Sequence, residues 1–143
     1  MFIGDFRHKI NAKGRVSVPA VFREQFGDTL YAVRGYEQSL SLYTSEEWDL
    51  LNAQLQELSR NDAKSRRYLR KLYNGASKLD IDQLGRILIP QPLRDHAGLV
   101  DEVVFSGAGK IAELWSVENF ENYLNEDDVS FEELGDHLAS LGV

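Results

Sequence analysis

The sequence predicts an α+β protein built from one unit of about 50 residues used twice, with helices joining and flanking the copies. Three observations predict this. The first is an internal repeat. Ile10-Asn11-Ala12-Lys13-Gly14-Arg15-Val16-Ser17-Val18-Pro19-Ala20-Val21-Phe22-Arg23 returns 71 residues later as Ile81-Asp82-Gln83-Leu84-Gly85-Arg86-Ile87-Leu88-Ile89-Pro90-Gln91-Pro92-Leu93-Arg94. Gly, Arg, Pro and the second Arg keep their places, and the apolar positions between them match. The second is that short β-branched runs, punctuated by Gly, alternate with runs at helical spacing. The third is composition. The 143 residues are 43% hydrophobic and 27% charged, which is ordinary for a globular chain, and no low-complexity linker interrupts them.

The elements follow in order. A short strand runs into the turn at Gly14-Arg15, and a second strand covers Arg15 to Val18, with Arg86 to Ile89 as its copy. Pro19 and Pro90 suit a first helical position, where a missing N–H costs nothing. A two-turn helix then ends at Gly27 or Gly98, each a candidate left-handed cap. A hairpin pairs 29–33 with 39–43, and its copy pairs 102–106 with 111–115. Gly35, and Gly107 with Gly109, are expected to supply the turns. After a one-residue insertion Gly35 matches Gly107, Leu42 matches Leu114, and Trp48 matches Phe120. Thr44 with Glu47 forms a capping box that opens a helix carrying Trp48, Leu51, Leu55 and Leu58 on one face. A second connecting helix runs from Asp62 through Tyr73 to a stop near Gly75. In the second unit Ser116 caps a helix containing Phe120, Tyr123 and Leu124. A last helix, from about Ser130, aligns Phe131, Leu134, Leu138 and Leu141. The chain divides into a first repeat with its helix (1–52), a helical connector (53–76), a second repeat (77–126) and a C-terminal helix (127–143). Neither repeat alone buries much core, so the two are expected to pack together.

Composition also excludes whole classes of function. Cys is absent, which removes disulfides, thiolate metal sites and cysteine nucleophiles. The N-terminal residues lack the apolar run of a signal peptide, and no stretch approaches the roughly 18 apolar residues of a membrane span. The expectation is a soluble, cytoplasmic protein. His8, His96 and His137 share no ligand spacing, and no phosphate loop, nucleophile elbow or dinucleotide fingerprint occurs. The acidic pairs Asp80/Asp82 and Asp127/Asp128 read as turn or solvated-face residues. An enzyme is not expected, and no cofactor or metal is implied.

The net charge of −7 is unevenly placed. Residues 1–27 carry five Lys/Arg against two Asp/Glu, and 60–78 carry seven against one. Residues 28–59 carry one against six, and 95–143 one against twelve. Clustered positive charge binds a polyanion whatever the total, because potential is local over about 10 Å. The alternative is that basic and acidic segments neutralise each other within the fold or between subunits.

The repeated Gly-Arg turn is the sharpest feature. Arg7, His8, Lys9 and Lys13 surround its first copy. Residues 7, 9, 13 and 15 would share one face of an extended chain, unless the turn at Gly14 breaks the parity. Arginine reads guanine through two hydrogen bonds, and lysines suit phosphates. The competing reading is that each arginine closes its own loop. Asp82 and Arg86, four apart, suit an ion pair of that kind. Asn11, the matching residue in the first copy, cannot neutralise Arg15, so Arg15 is expected to be the more available cation.

The pattern Asn11-x-Lys13-Gly14-Arg15-x-x-x-Pro19-x-x-x-Arg23, repeated as Asp82-x-x-Gly85-Arg86-x-x-x-Pro90-x-x-x-Arg94, resembles the AbrB-like swapped-hairpin DNA-binding fold. Two copies in one chain of this length resemble the MraZ family. Met1-Phe2-x-Gly4, His96-Ala97-Gly98-Leu99 and Glu113-Leu114-Trp115 carry the same likeness. The resemblance implies a swapped-hairpin β-barrel formed within one chain and flanked by helices. It implies a nucleoid-associated regulator that represses its own promoter and the bacterial division and cell-wall gene cluster. Its partners would be short G-rich direct repeats in double-stranded DNA, and further copies of itself in a ring-like homo-oligomer. The family's Asp-x-x-x-Arg signature falls on Asp82 and Arg86 and, with a departure at its first residue, on Asn11 and Arg15. The implied DNA-contacting set is Arg15, Lys13, Lys9, Arg7, His8, Asn11, Arg86, Asp82, Arg23 and Arg94. The second copy holds Leu79 and Asp80 where the first holds His8 and Lys9, so it is expected to contact DNA less strongly. The rivals are an antitoxin-like regulator of the same fold and a purely structural assembly protein whose arginines stabilise the barrel.

Overall fold

The computed structural model describes residues 1–125 and 129–143. The Asp127/Asp128 pair and the boundary drawn between 126 and 127 lie outside the described residues.

The chain is α+β, with six helices and a large antiparallel sheet among the described residues. The first unit contributes β1 (Asp5–Lys9), β2 (Arg15–Ser17), α1 (Ala20–Phe26), β3 (Thr29–Arg34), β4 (Leu40–Tyr43) and α2 (Ser45–Leu55). The connector is α3 (Ala63–Gly75). The second unit contributes β5 (Ser77–Asp80), β6 (Arg86–Leu88), α4 (Gln91–Ala97), β7 (Glu102–Ala108), β8 (Ile111–Ser116) and α5 (Val117–Asn125), and α6 (Phe131–Ser140) ends the series.

The units pair with each other rather than side by side. The six-stranded sheet has the order β1-β7-β8-β4-β3-β5, which reads the same from either end once equivalent strands are exchanged. Each unit sends its first strand to the edge of the other unit's hairpin. Phe6 pairs with Phe105, and Leu79 pairs with Leu30. A separate two-stranded ribbon joins β2 to β6, centred on the equivalent residues Val16 and Ile87. Ser41 faces Glu113 at the centre of the large sheet.

Alternation along the strands produces three layers. Leu30, Ala32, Leu42, Val103, Phe105 and Leu114 face the ribbon, α1 and α4, and form the main core with Val16, Ile87, Phe22 and Leu93. Phe22 anchors this core, with its ring edge-on to Phe2 at 5.1 Å and to Phe6 at 5.3 Å. The opposite sheet face carries α2 and α3 over Val33, Tyr31 and Tyr43, and α5 over Val104 and Trp115. Trp48 of α2 stacks on Tyr31 at 5.1 Å.

Capping is largely as expected. The hydroxyls of Thr44, Ser116 and Ser130 accept N–H groups of Glu47, Asn119 and Glu133 at 3.0–3.1 Å. Asp62 caps α3 through Lys64.

Several local expectations change. Pro19 and Pro90 stand at the N-cap, one residue before the first helical position, with φ −53° and −60°. Gly98 is left-handed (φ 66°, ψ 35°), but Gly27 pairs φ 77° with ψ −129°. The first hairpin turns on Glu37 and Gln38, whose φ values are 54° and 62°, and not on a left-handed Gly35. Gly107 lies inside β7 because the chain start crosses it. A Cβ there would stand 2.5 Å from the backbone of Ile3. Strand pairing aligns Leu30 with Val103, one residue beyond the sequence match of Gly35 to Gly107. Leu58 lies past the end of α2 and is exposed, because the helix stops at Leu55.

Candidate nucleic-acid interface

The outward face of the β2–β6 ribbon is set by parity. Val16 and Ile87 point into the core, so Arg15, Ser17, Arg86 and Leu88 point away from it. Arg15 opposes Leu88 and Ser17 opposes Arg86, which puts the two arginines on one face, diagonally across the ribbon.

Each end of the ribbon is closed by the same turn. Asn11 Oδ1 accepts the backbone N–H groups of Lys13 at 3.0 Å and Arg15 at 2.9 Å. Asp82 Oδ1 does the same for Leu84 and Arg86, both at 2.9 Å. These are Asx turns, in which a side-chain oxygen replaces a backbone acceptor. The difference lies in the second oxygen. Asp82 Oδ2 accepts from Arg86 Nε at 3.1 Å, so the second arginine is paired in its own loop. The Arg86 backbone and guanidinium N–H groups hold the Asp82 carboxyl below its ordinary range. Asn11 bonds the backbone of Arg15 but not its guanidinium. Among the described residues the Arg15 guanidinium has no hydrogen-bond or ion-pair partner, and Lys13 beside it is exposed.

The helix arginines are exchanged between units. Arg94 of α4 lies over Gly14, and Arg23 of α1 lies over Gly85. Each turn is therefore completed by the other copy's arginine. Arg94 Nε donates to the Ile89 carbonyl at 3.0 Å.

The approach strand behaves differently. Phe6 and His8 face the main core, so Arg7 and Lys9 emerge on the sheet face that carries α5. Arg7 is bound there to Glu121 at 2.8 Å. His8 sits edge-on to Phe105 at 5.8 Å, and burial lowers its pKa from 6.5. The turn breaks the parity that would have placed 7 and 9 with 13 and 15. Thus Lys13, Arg15, Arg86, Arg23 and Arg94 gather about the ribbon, with the exposed Asn11 and Asp82 shaping its two turns. Arg7 and Lys9 do not join them.

A family model described as "MraZ protein, putative antitoxin-like" matches residues 1–71 and again 72–139. A Transcriptional regulator MraZ from Alkaliphilus oremlandii (strain OhILAs) is 38% identical over 143 residues, covering 100% of both chains. One from Thermoanaerobacter sp. (strain X514) is 41% identical, again over 100% of both. The chain belongs to the MraZ family. A third relative of the same name, from Ligilactobacillus salivarius (strain UCC118), is 40% identical over 99% of each chain. A solution structure from Pyrococcus horikoshii is similar at 15% identity, covers 80% of this chain and 88% of that one, and has a TM-score of 0.34, too low to align the folds.

In this MraZ chain the two matched segments are spaced by the same 71 residues as the Gly-Arg turns. The ribbon's outward face also includes Ser17 and Leu88, which the motif did not single out. Their signal was available, since both stand an even number of residues from their strand's arginine. No helix of the described residues is long and apolar enough to cross a membrane.

Proposed function

We propose that this chain is a cytoplasmic, nucleoid-associated DNA-binding regulator that represses its own promoter and the division and cell-wall gene cluster. It would do so by binding short G-rich direct repeats as a ring-like homo-oligomer. The single observation that carries the reading is Arg15, without a side-chain partner among the described residues, on the outward face of a two-stranded ribbon beside Lys13. A ribbon of this kind fits a major groove about 12 Å wide, and a bidentate arginine–guanine contact discriminates by about 1–3 kcal/mol. The strand exchange between halves supports a swapped-hairpin barrel, and supports dividing the chain into repeats 1–52 and 77–126, a connector 53–76 and a terminal helix 127–143.

The remaining residues take graded roles in this reading. Lys13 and Arg15 lead, with Arg94 at the same turn and Asn11 shaping it. Arg86, tied to Asp82, and Arg23 form the weaker second contact. Lys9, Arg7 and His8, on other surfaces, contribute least. Several modules on one ring gain avidity when repeats are spaced near one helical turn, about 10–10.5 bp.

The structural reading retains one specific support. Arg94 hydrogen-bonds the Ile89 carbonyl, so it stabilises the fold whatever else it touches. Titrating wild type and Arg15→Ala against DNA from upstream of the chain's own gene, at two salt concentrations with scrambled DNA as control, separates the readings. A preference of tenfold or more (about 1.4 kcal/mol) that Arg15→Ala loses while keeping its size supports regulation. Equal binding to both DNAs, or none, reduces the arginine repeat to architecture.

A further inference from the structure

Two features outside the ribbon match each other. The first is α6. It buries no side chain, and Phe131, Leu134, Leu138 and Leu141 are 85%, 55%, 48% and 65% exposed along one stripe. Its first turn carries Glu132 and Glu133, and Asp136 follows on the next. A ten-residue helix is marginal in water without a surface to pack on.

The second feature is a cavity of about 310 Å3 between α2, α3 and the β3–β4 hairpin. Val33, Leu51 and Leu72 give it an apolar floor, and Tyr43 and Tyr68 give it aromatic walls. Arg34 and Lys71 stand at its rim, and α3 adds Arg67 and Arg70, both exposed. Among the described residues no Asp or Glu lines it, and the carboxylates of Glu47 and Glu113 act on Tyr43 from outside the lining. An apolar, cation-rimmed groove of this kind suits an amphipathic helix that is apolar on one side and acidic at its start.

We propose that α6 of one copy docks in the α2–α3 groove of a second copy. The inference deepens the ring-like assembly of the preceding section and rests on it. Helix and groove lie on different parts of one chain, so the contact is head-to-tail. A bound pair still offers one free helix and one free groove, which is what a closing ring requires. Helices α2 and α3 lie on the other face of the sheet from the ribbon, so docking against them leaves Lys13 and Arg15 uncovered, while His96 of α4 reaches the groove from the ribbon side. The basic connector then answers the acidic C-terminal segment of a neighbour rather than DNA.

Sedimentation velocity of full-length variants at micromolar concentration tests the proposal. One variant removes the stripe (Phe131→Ser with Leu138→Ser), and the other blocks the groove (Tyr68→Glu with Lys71→Glu). Both change exposed residues, and circular dichroism checks that each keeps its fold. Wild type is expected to assemble, and each variant alone to sediment as a monomer, with self-association weakened at least tenfold. An equimolar mixture of the two is expected to stop at a heterodimer, since it holds one intact helix and one intact groove. A mixture that stays monomeric overturns the docking. Variants that assemble like wild type also overturn it, and leave the ring reading standing. A monomeric wild type overturns both. DNA binding by the monomeric variants to a single repeat is measured in parallel, and its loss or survival bears on the regulator reading alone.

Discussion

Arg94 and Gly14 come from different halves of the chain, yet the guanidinium carbon of Arg94 lies 2.8 Å from where a Cβ on Gly14 would stand. The Gly14 carbonyl accepts the Ile89 N–H at 2.8 Å, and Arg94 Nε donates to the Ile89 carbonyl at 3.0 Å. The glycine is thus required twice: by its φ of +94° and by the arginine packed on it.

Gly14→Ala is therefore expected to destabilise the fold on the order of 3 kcal/mol, combining left-handed strain with displacement of Arg94. Gly109→Ala is the control. Gly109 has φ +82° but open space where its Cβ would lie, so only the strain remains, about 1–2 kcal/mol. Urea denaturation of the two variants reads the difference, and equal losses would show that the arginine contact contributes nothing.

Asp82 gives the fold an acid-sensitive turn. Its folded pKa lies below the ordinary 3.8, mainly through the Arg86 backbone N–H. The carboxylate therefore stabilises above the unfolded value, and this contribution is lost as pH falls through the lower folded value. Asp82→Asn should fold, because Asn11 makes the same backbone bonds in the first copy. Stability followed from neutrality down through the acid range should show a shallower acid loss for Asp82→Asn than for wild type.

Arg7 and Lys13 are both basic residues near the turn, but they emerge on different surfaces. Lys13→Ala should weaken binding to any DNA and reduce the salt slope by about one. Arg7→Ala removes a partner of Glu121 and should leave DNA affinity within about twofold. Titration at several salt concentrations compares them, and an equal loss for Arg7→Ala would place β1 in the interface.

Phe22 tests the shared core. It is 1% exposed and touches Phe2 and Phe6 edge-on. Phe22→Ala should cost about 3–5 kcal/mol. Because both halves build that core, thermal unfolding should remain one transition at a lower temperature, and two separated transitions would show that the halves fold independently.

Much of this arrangement was legible in the residues. The repeat, the Gly-Arg turns, the capping side chains of Thr44, Asp62, Ser116 and Ser130, and the Asp82–Arg86 pair all act within a few positions of chain. Short-range hydrogen bonds and backbone sterics decide them, and those are written in neighbouring residues. The unneutralised charge of Arg15 follows from Asn11 in the same way.

The tertiary structure alone decided which half supplies each partner. No local pattern sends Arg23 to Gly85 and Arg94 to Gly14, or pairs β1 with β7 and β5 with β3. Those choices come from burying both units' apolar faces in one core, a long-range event. The same packing turned Arg7 and Lys9 away from the ribbon, because Phe6 and His8 took the core side of β1. The sequence by itself determined the turns and their charges, whereas the closing of two half-cores on each other determined which of those charges share a surface.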